Sequence, residues 1–189
     1  MLEYTHMKKD TFLVWMDLEM TGLDVLKDTI VEIATIITDE NLEIIAEGPN
    51  RIIHVDEAFL NTRNRAFLDE HGLTPEILES TLTLHDAEVE TLAFLHKWIS
   101  PQSSPLCGNS IGMDRRFLAF HMPSIDEYLH YRSIDVSSIK ELARRWHPAV
   151  FKEVQTLKKE THRARDDILE SIAELQLYRE RFFHNVYHT

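Results

Sequence analysis

Asp17 and Glu19 stand one residue apart, and alternate residues of an extended segment point the same way, so both carboxylates can face one hard cation. On spacing alone the pair fits equally well as two exposed acids at a strand end. What precedes it shifts the reading: Phe12-Leu13-Val14-Trp15-Met16 is an apolar, partly β-branched run of the kind a strand buried on both faces produces. A strand ending at Asp17 delivers the acids to the rim of a core, where an ionised carboxylate needs a partner, and metal is the economical one. Asp114 and Asp167 lie at the starts of predicted helices, where the dipole alone favours an acid. His162 is one of eleven histidines. With no His-Glu-x-x-His and one cysteine, Cys107, a carboxylate set of this kind suits Mg²⁺ or Mn²⁺ rather than zinc.

The elements that must position these groups follow from the apolar pattern. Runs at residues 30–37 and 42–45 flank Asp39-Glu40-Asn41, a hairpin-turn composition, and residues 51–55 continue the meander. From about Asp86 the period becomes helical: Val89, Leu92, Ala93, His96 and Ile99 share a face that Ser100-Pro101 ends. Residues 105–109 read as a short strand feeding a loop, residues 115–122 as a helix stopped by Pro123, and residues 133–136 as a further strand. Ser137 or Ser138 caps a helix carrying Ile139, Leu142, Ala143 and Trp146, and Ala164, Ile168, Ile172, Leu175 and Tyr178 stripe a long final helix. Strands followed by alternating helices and strands describe an α/β fold, a mixed β-sheet flanked by α-helices.

Bulk properties bound the function. A chain of 189 residues with 43% apolar content suffices for one domain, expected over residues 11–189, with the polar residues 1–10 a flexible segment that holds a second possible start at Met7. Against 20 Lys and Arg stand 32 Asp and Glu, a net charge of −12 that argues against coating long duplex nucleic acid through a broad basic face. A polyanionic substrate must then be short, or held through metal. One cysteine forms no internal disulfide, and no basic start followed by an apolar stretch marks a signal peptide or membrane span, so a cytoplasmic protein is expected.

Three segments carry a resemblance that no single residue does. Asp17-Leu18-Glu19-Met20-Thr21-Gly22-Leu23-Asp24 resembles the first exonuclease motif of the DEDD nucleases, in the form carried by the oligoribonuclease family. Gly108-Asn109-Ser110-Ile111-Gly112-Met113-Asp114-Arg115-Arg116-Phe117-Leu118 resembles the second and contributes Asp114. His162-Arg163-Ala164-Arg165-Asp166-Asp167 resembles the third, in the His-x-Ala-x-x-Asp form of the DEDDh class. The motifs occur in family order, and the resemblance covers residues 11–183. It implies an RNase H-like fold and a metal-dependent 3′→5′ exoribonuclease acting on short single-stranded RNA. Two divalent cations, Mg²⁺ or Mn²⁺, would be held by Asp17, Glu19, Asp114 and Asp167, with His162 taking a proton from the attacking water.

The family completes each site across a homodimer, where an aromatic residue of the partner chain and a small phosphate-binding cluster cap the substrate's 5′ end. Tyr131 and Arg132 are the matching positions, and would reach the partner's site. Ser110, Ser137 and Ser138 are candidate donors to that phosphate, the last two alternatively helix caps. Leu18 and Met20 are candidates to wedge against terminal bases, or to pack beneath the sheet end. Trp98 and Trp146 read as core or dimer contacts, and the arginine pairs 115/116, 144/145 and 163/165 as solvated or ion-paired faces.

The chain departs from the family pattern over residues 59–73. Asn61-Thr62-Arg63-Asn64-Arg65-Ala66-Phe67 stands where Met-Asp-x-Trp is usual, and His71-Gly72-Leu73 is shorter than His-x-x-Ser-Gly-Leu, so no function of His71 is carried over. Two other readings stay open: a DEDDh exonuclease acting on longer DNA or RNA, and a noncatalytic binding domain on the same scaffold. The second is disfavoured because no member of the catalytic quintet is missing.

Overall fold

The computed structural model describes residues 11–63, 65–156 and 162–183; the segment 1–10 expected to be flexible lies outside these, as does Asn64 of the divergent stretch. Five strands form one mixed sheet in the order β3-β2-β1-β4-β5. β1 (Leu13–Met20), β2 (Ile30–Thr38) and β3 (Ile44–Ile52) make an antiparallel meander, and β4 (Leu106–Gly108) and β5 (Ser133–Asp135) run parallel to β1.

The central strand divides its side chains between two cores, as the period of two demands. Val14, Met16 and Leu18 pack with Ile30, Leu95, Phe117 and Ile125, beneath α4 (Leu84–Trp98), α5 (Gly112–His121) and α6 (Pro123–Tyr128). Trp15 packs with Ala34, Ile36 and Cys107 on the opposite face, under α7 (Val136–Trp146), α8 (Pro148–Gln155) and α9 (Ala164–Tyr178). A third cluster joins Val31 to Leu60, Leu68, Leu73 and Ile77, from the short helices α1 (Glu57–Leu60), α2 (Arg65–Glu70) and α3 (Leu73–Glu79). A π-helical turn, Arg179–Phe183, ends the described chain. The sheet and its helical layers have the RNase H-like arrangement.

Three boundaries differ from the sequence reading. β1 does not stop at Asp17 but runs to Met20, because Asp17 and Glu19 remain paired opposite Ala34 and Glu32 of β2. The separate runs around residues 42–45 and 51–55 are one strand, β3, whose Gly48 and Pro49 masked its continuity. An edge strand tolerates that proline, and Gly48 is needed where a Cβ would come 2.6 Å from the Phe94 ring. Pro123 ends α5 and opens α6, where its missing N–H is no loss. Among the described residues no helix is long and apolar enough to cross a membrane.

Candidate active site

The parallel strands β1, β4 and β5 finish on the same side of the sheet, and the chain beyond such strand ends is where α/β sheets place their ligands. Asp17 and Glu19 occupy the last turn of the pleat on β1. Their face is the one covered by α9, and Asp167 comes from the first turn of that helix. Asp114 comes from the first turn of α5, and its Oδ1 accepts a hydrogen bond from the Leu18 backbone N–H at 3.0 Å. Burial is nearly complete: Glu19 is 8% and Asp114 6% exposed.

Crowding and desolvation set the electrostatics. Loss of water, and then the charges of Asp114, Asp167, Glu19 and Glu32, hold the Asp17 carboxyl well above the usual range. Burial, Asp167 and Glu32 push Glu19 up to about 8. Burial pushes Asp114 up to about 7, against the lowering effect of backbone hydrogen bonds at Asp114 and Leu18. Carboxyl groups so placed must take up protons or share a cation. Glu19, His162 and Asp167 present ligand atoms that all lie within 4.8 Å of one another, so the donor set and spacing fit a metal ion. Hard oxygen donors predominate, which suits a hard divalent cation.

Around this centre stand groups with no assigned role in the sequence reading. Glu32 is fully buried and directly opposite Glu19 across β1 and β2, an arrangement of like charges that is unfavourable by itself. Arg163 relieves it. Its Nε lies 3.4 Å from Glu32, while both terminal nitrogens donate to Glu76 of α3 at 2.8 and 2.9 Å. His162, the neighbour of Arg163, has a left-handed backbone with φ of 48°. Its ring lies 4.3 Å from that of His71 and 5.6 Å from that of Phe67, centroid to centroid. The divergent segment thus forms the wall against which His162 rests. An isolated acid inside the apolar run of residues 30–37 was the visible signal for Glu32; nothing in the local sequence announced the other contacts.

The three candidate serines converge on one residue, Asp135. Its Oδ1 accepts from the backbone N–H groups of Ser110 and Ser137, both at 3.0 Å, and from the Ser137 hydroxyl at 2.6 Å; Oδ2 accepts from Ser138 Oγ at 3.3 Å. Asp135, not a serine, therefore caps α7. Behind Ser110, which also has positive φ, Asn109 donates to Ser171 and Glu174 and accepts from Lys140, whose ammonium is 3.1 Å from the buried Glu174 carboxylate.

The remaining candidates lie elsewhere. Leu18 is 4% exposed and occupies the core position of its packing alternative, with Met20 half-buried beside it. Tyr131 is 75% exposed, with the Arg132 guanidinium 5.4 Å above its ring. Among the described residues, no hydrogen bond or ring contact joins these two side chains to the carboxylates.

Residues 14–175, most of the chain, match the family model described as Exonuclease, so the chain is a member of that family. The oligoribonuclease of Acinetobacter baylyi is 50% identical over 178 residues, 93% of this chain and 96% of that one. The oligoribonuclease of Pseudomonas aeruginosa is 52% identical over 176 residues, 90% of this chain and 95% of that one. The chain belongs to the oligoribonuclease family of exonucleases and is a 3′→5′ exoribonuclease, a hydrolase of phosphodiester bonds. In three dimensions it resembles E. coli exonuclease I in complex with a dA16 oligonucleotide, with TM-score 0.66, 17% identity and 91% of this chain matched. The chain spans 41% of that exonuclease I, a likeness of fold.

Proposed function

We propose that the chain hydrolyses short oligoribonucleotides, dinucleotides included, to mononucleotides from the 3′ end. Asp17, Glu19, Asp114 and Asp167 would hold two divalent cations, Mg²⁺ or Mn²⁺, which when bound offset the charge of the scissile phosphate and of the attacking and leaving oxygens. His162 is the general base: its imidazole accepts the proton that the attacking water loses, as the phosphorus–oxygen bond to the leaving 3′ oxygen breaks. Asp114 also holds the end of β1 in place through the Leu18 N–H. Phe67 and His71 keep the base from swinging away.

The observation that carries this reading is the meeting of Glu19, His162 and Asp167 within 4.8 Å, beside two further buried carboxyls. Short substrates fit a net charge of −12, because metal and a single arginine cluster hold a dinucleotide without an extended basic groove. Tyr131 and Arg132, exposed and away from their own carboxylates, suit a homodimer in which they serve the partner's site with Ser110, Ser137 and Ser138. Met20, half-buried at the end of β1, is the candidate left for the approach of the terminal bases, because Leu18 packs in the core. The reading includes a single domain over residues 11–189 and a cytoplasmic location.

The test is to incubate the protein with Mn²⁺ and 5′-labelled RNAs of two, five and twenty nucleotides, beside Asp17→Ala and His162→Ala. Fast release of mononucleotides from the shortest RNA, lost in both variants, supports the proposal. Equal or better cleavage of the longest RNA would remove the claim of short-substrate preference, and full activity of His162→Ala would remove the general base.

A further inference from the structure

We propose that Arg115 is a positioning residue that sets the loop carrying Tyr131 and Arg132, and thereby controls capture of a substrate's 5′ phosphate. The inference rests on the reading of that loop as substrate-binding.

Arg115 follows Asp114 in the first turn of α5, and its side chain is 19% exposed. One terminal nitrogen, Nη1, donates to the carbonyl of His130 at 2.9 Å, to that of Arg132 at 3.2 Å and to Ser133 Oγ at 3.4 Å. Its Nε lies 2.9 Å from Asp126 of α6. A single guanidinium thus ties α5, α6 and the loop between α6 and β5 together.

The loop needs such a tie. Tyr131 at its apex is 75% exposed and secures little by burial, so the entropy lost in ordering its backbone must be met by main-chain contacts. Among the described residues the loop backbone also donates from Leu129 to the Ile125 carbonyl at 3.2 Å, from His130 to the Ser104 carbonyl at 2.9 Å and from Arg132 to His130 Nδ1 at 3.2 Å. The Arg115 nitrogen catches the carbonyls on both sides of Tyr131, which fixes the peptide planes that aim Tyr131 and Arg132. Asp126 compensates the charge of the half-buried guanidinium and stops it from turning. Lysine would keep the charge opposite Asp126 but lacks the planar fork that reaches both partners at once.

The experiment compares Arg115→Lys, Arg115→Ala and Arg132→Ala on a 5′-phosphorylated diribonucleotide and on its 5′-hydroxyl counterpart, with a thermal melt of each variant. Both Arg115 variants are expected to raise KM for the phosphorylated substrate about tenfold, with kcat within about threefold of the parent. For the hydroxyl form, KM stays within about twofold. Arg115→Lys recovers the melting temperature but not KM, which separates positioning from stability and carries the test should Arg115→Ala not fold. Equal losses on both substrates, or a fall in kcat with KM unchanged, would assign the effect to neighbouring Asp114 and overturn the proposal. If Arg132→Ala discriminates between the substrates and the Arg115 variants do not, the proposal alone falls. If Arg132→Ala does not discriminate either, the reading of the loop falls and takes the proposal with it.

Discussion

The Leu18 backbone N–H donates to Asp114 Oδ1 at 3.0 Å, a bond between residues 96 apart in sequence that joins the end of the central strand to the start of α5. One carboxyl therefore braces backbone with one oxygen and faces the acidic cluster as a charge. Asparagine at this position keeps an acceptor of the same shape and removes the charge, whereas alanine leaves a buried N–H without a partner. In chelator, Asp114→Asn is expected to be at least as stable as the parent, and Asp114→Ala less stable by about 1–3 kcal/mol. Both should lose activity by at least about a hundredfold. Urea unfolding and turnover of a dinucleotide check this; equal stability of the two variants would remove the bracing role.

The pH dependence of the metal-free protein follows from the same cluster. Asp114 and Glu19 lose their protons at about 7 and about 8 in the folded chain, against ordinary values of 3.8 and 4.5. Between those limits the folded state binds more protons than the unfolded state, so stability falls as pH rises. The contribution is complete below about pH 4 and is lost by about pH 8. In chelator the urea midpoint should decline across this window. Added Mn²⁺ should flatten the decline, because cations and protons compete for the same oxygens. A midpoint that rises with pH in chelator would contradict the crowding.

How much of this was legible beforehand depended on the kind of signal. Asp17, Glu19, Asp114, Asp167 and His162 sit in contiguous motifs, and the structure gathers all five. The long helix α9 buries the stripe Ala164, Ile168, Ile172, Leu175 and Tyr178 that its sequence shows, whereas α4 buries Ala87, Glu88, Thr91 and Leu95 and leaves Val89, Ala93 and His96 exposed, so the face read from its sequence is the outer one. The helices α1, α2 and α3, of four, six and seven residues, are too short to show one. Asp135 escaped notice because a helix cap announces only itself; that it collects Ser110 from a different loop is a fact of tertiary structure. The pairing of Glu32 with Glu19 depends on strand register, which alternation alone does not fix to the residue.

Arg163 compensates the buried Glu32 and clasps Glu76, so its removal leaves an acid inside the sheet without the cation that faces it. Glu32 answers partly by holding its proton more tightly, since burial already raises its pKa. Arg163→Met is therefore expected to cost about 2–3 kcal/mol, below the upper range for breaking a buried pair. Glu32→Gln in the same background should return part of that loss. Denaturation of the two single variants and the double variant measures the coupling; additive effects would show that Arg163 acts through Glu76 alone.

His162 is held in a left-handed backbone conformation that a non-glycine residue adopts only under constraint, and its ring is flanked by His71 and Phe67. Ring contacts of this kind contribute about 0.5–1.5 kcal/mol, which corresponds to about a twofold to twelvefold change in the population of the aligned base. His71→Ala should therefore lower kcat by that factor, and Phe67→Ala by somewhat less, the Phe67 ring being farther from His162. Mn²⁺ affinity should stay unchanged in both, because the proposed ligands are the four carboxylates and the base that these rings steady is not one of them. Calorimetric titration of Mn²⁺ beside steady-state kinetics separates the two effects. Loss of metal affinity in His71→Ala would make this histidine part of the metal site itself; unchanged kcat in both variants would leave the aromatic wall with a packing role only.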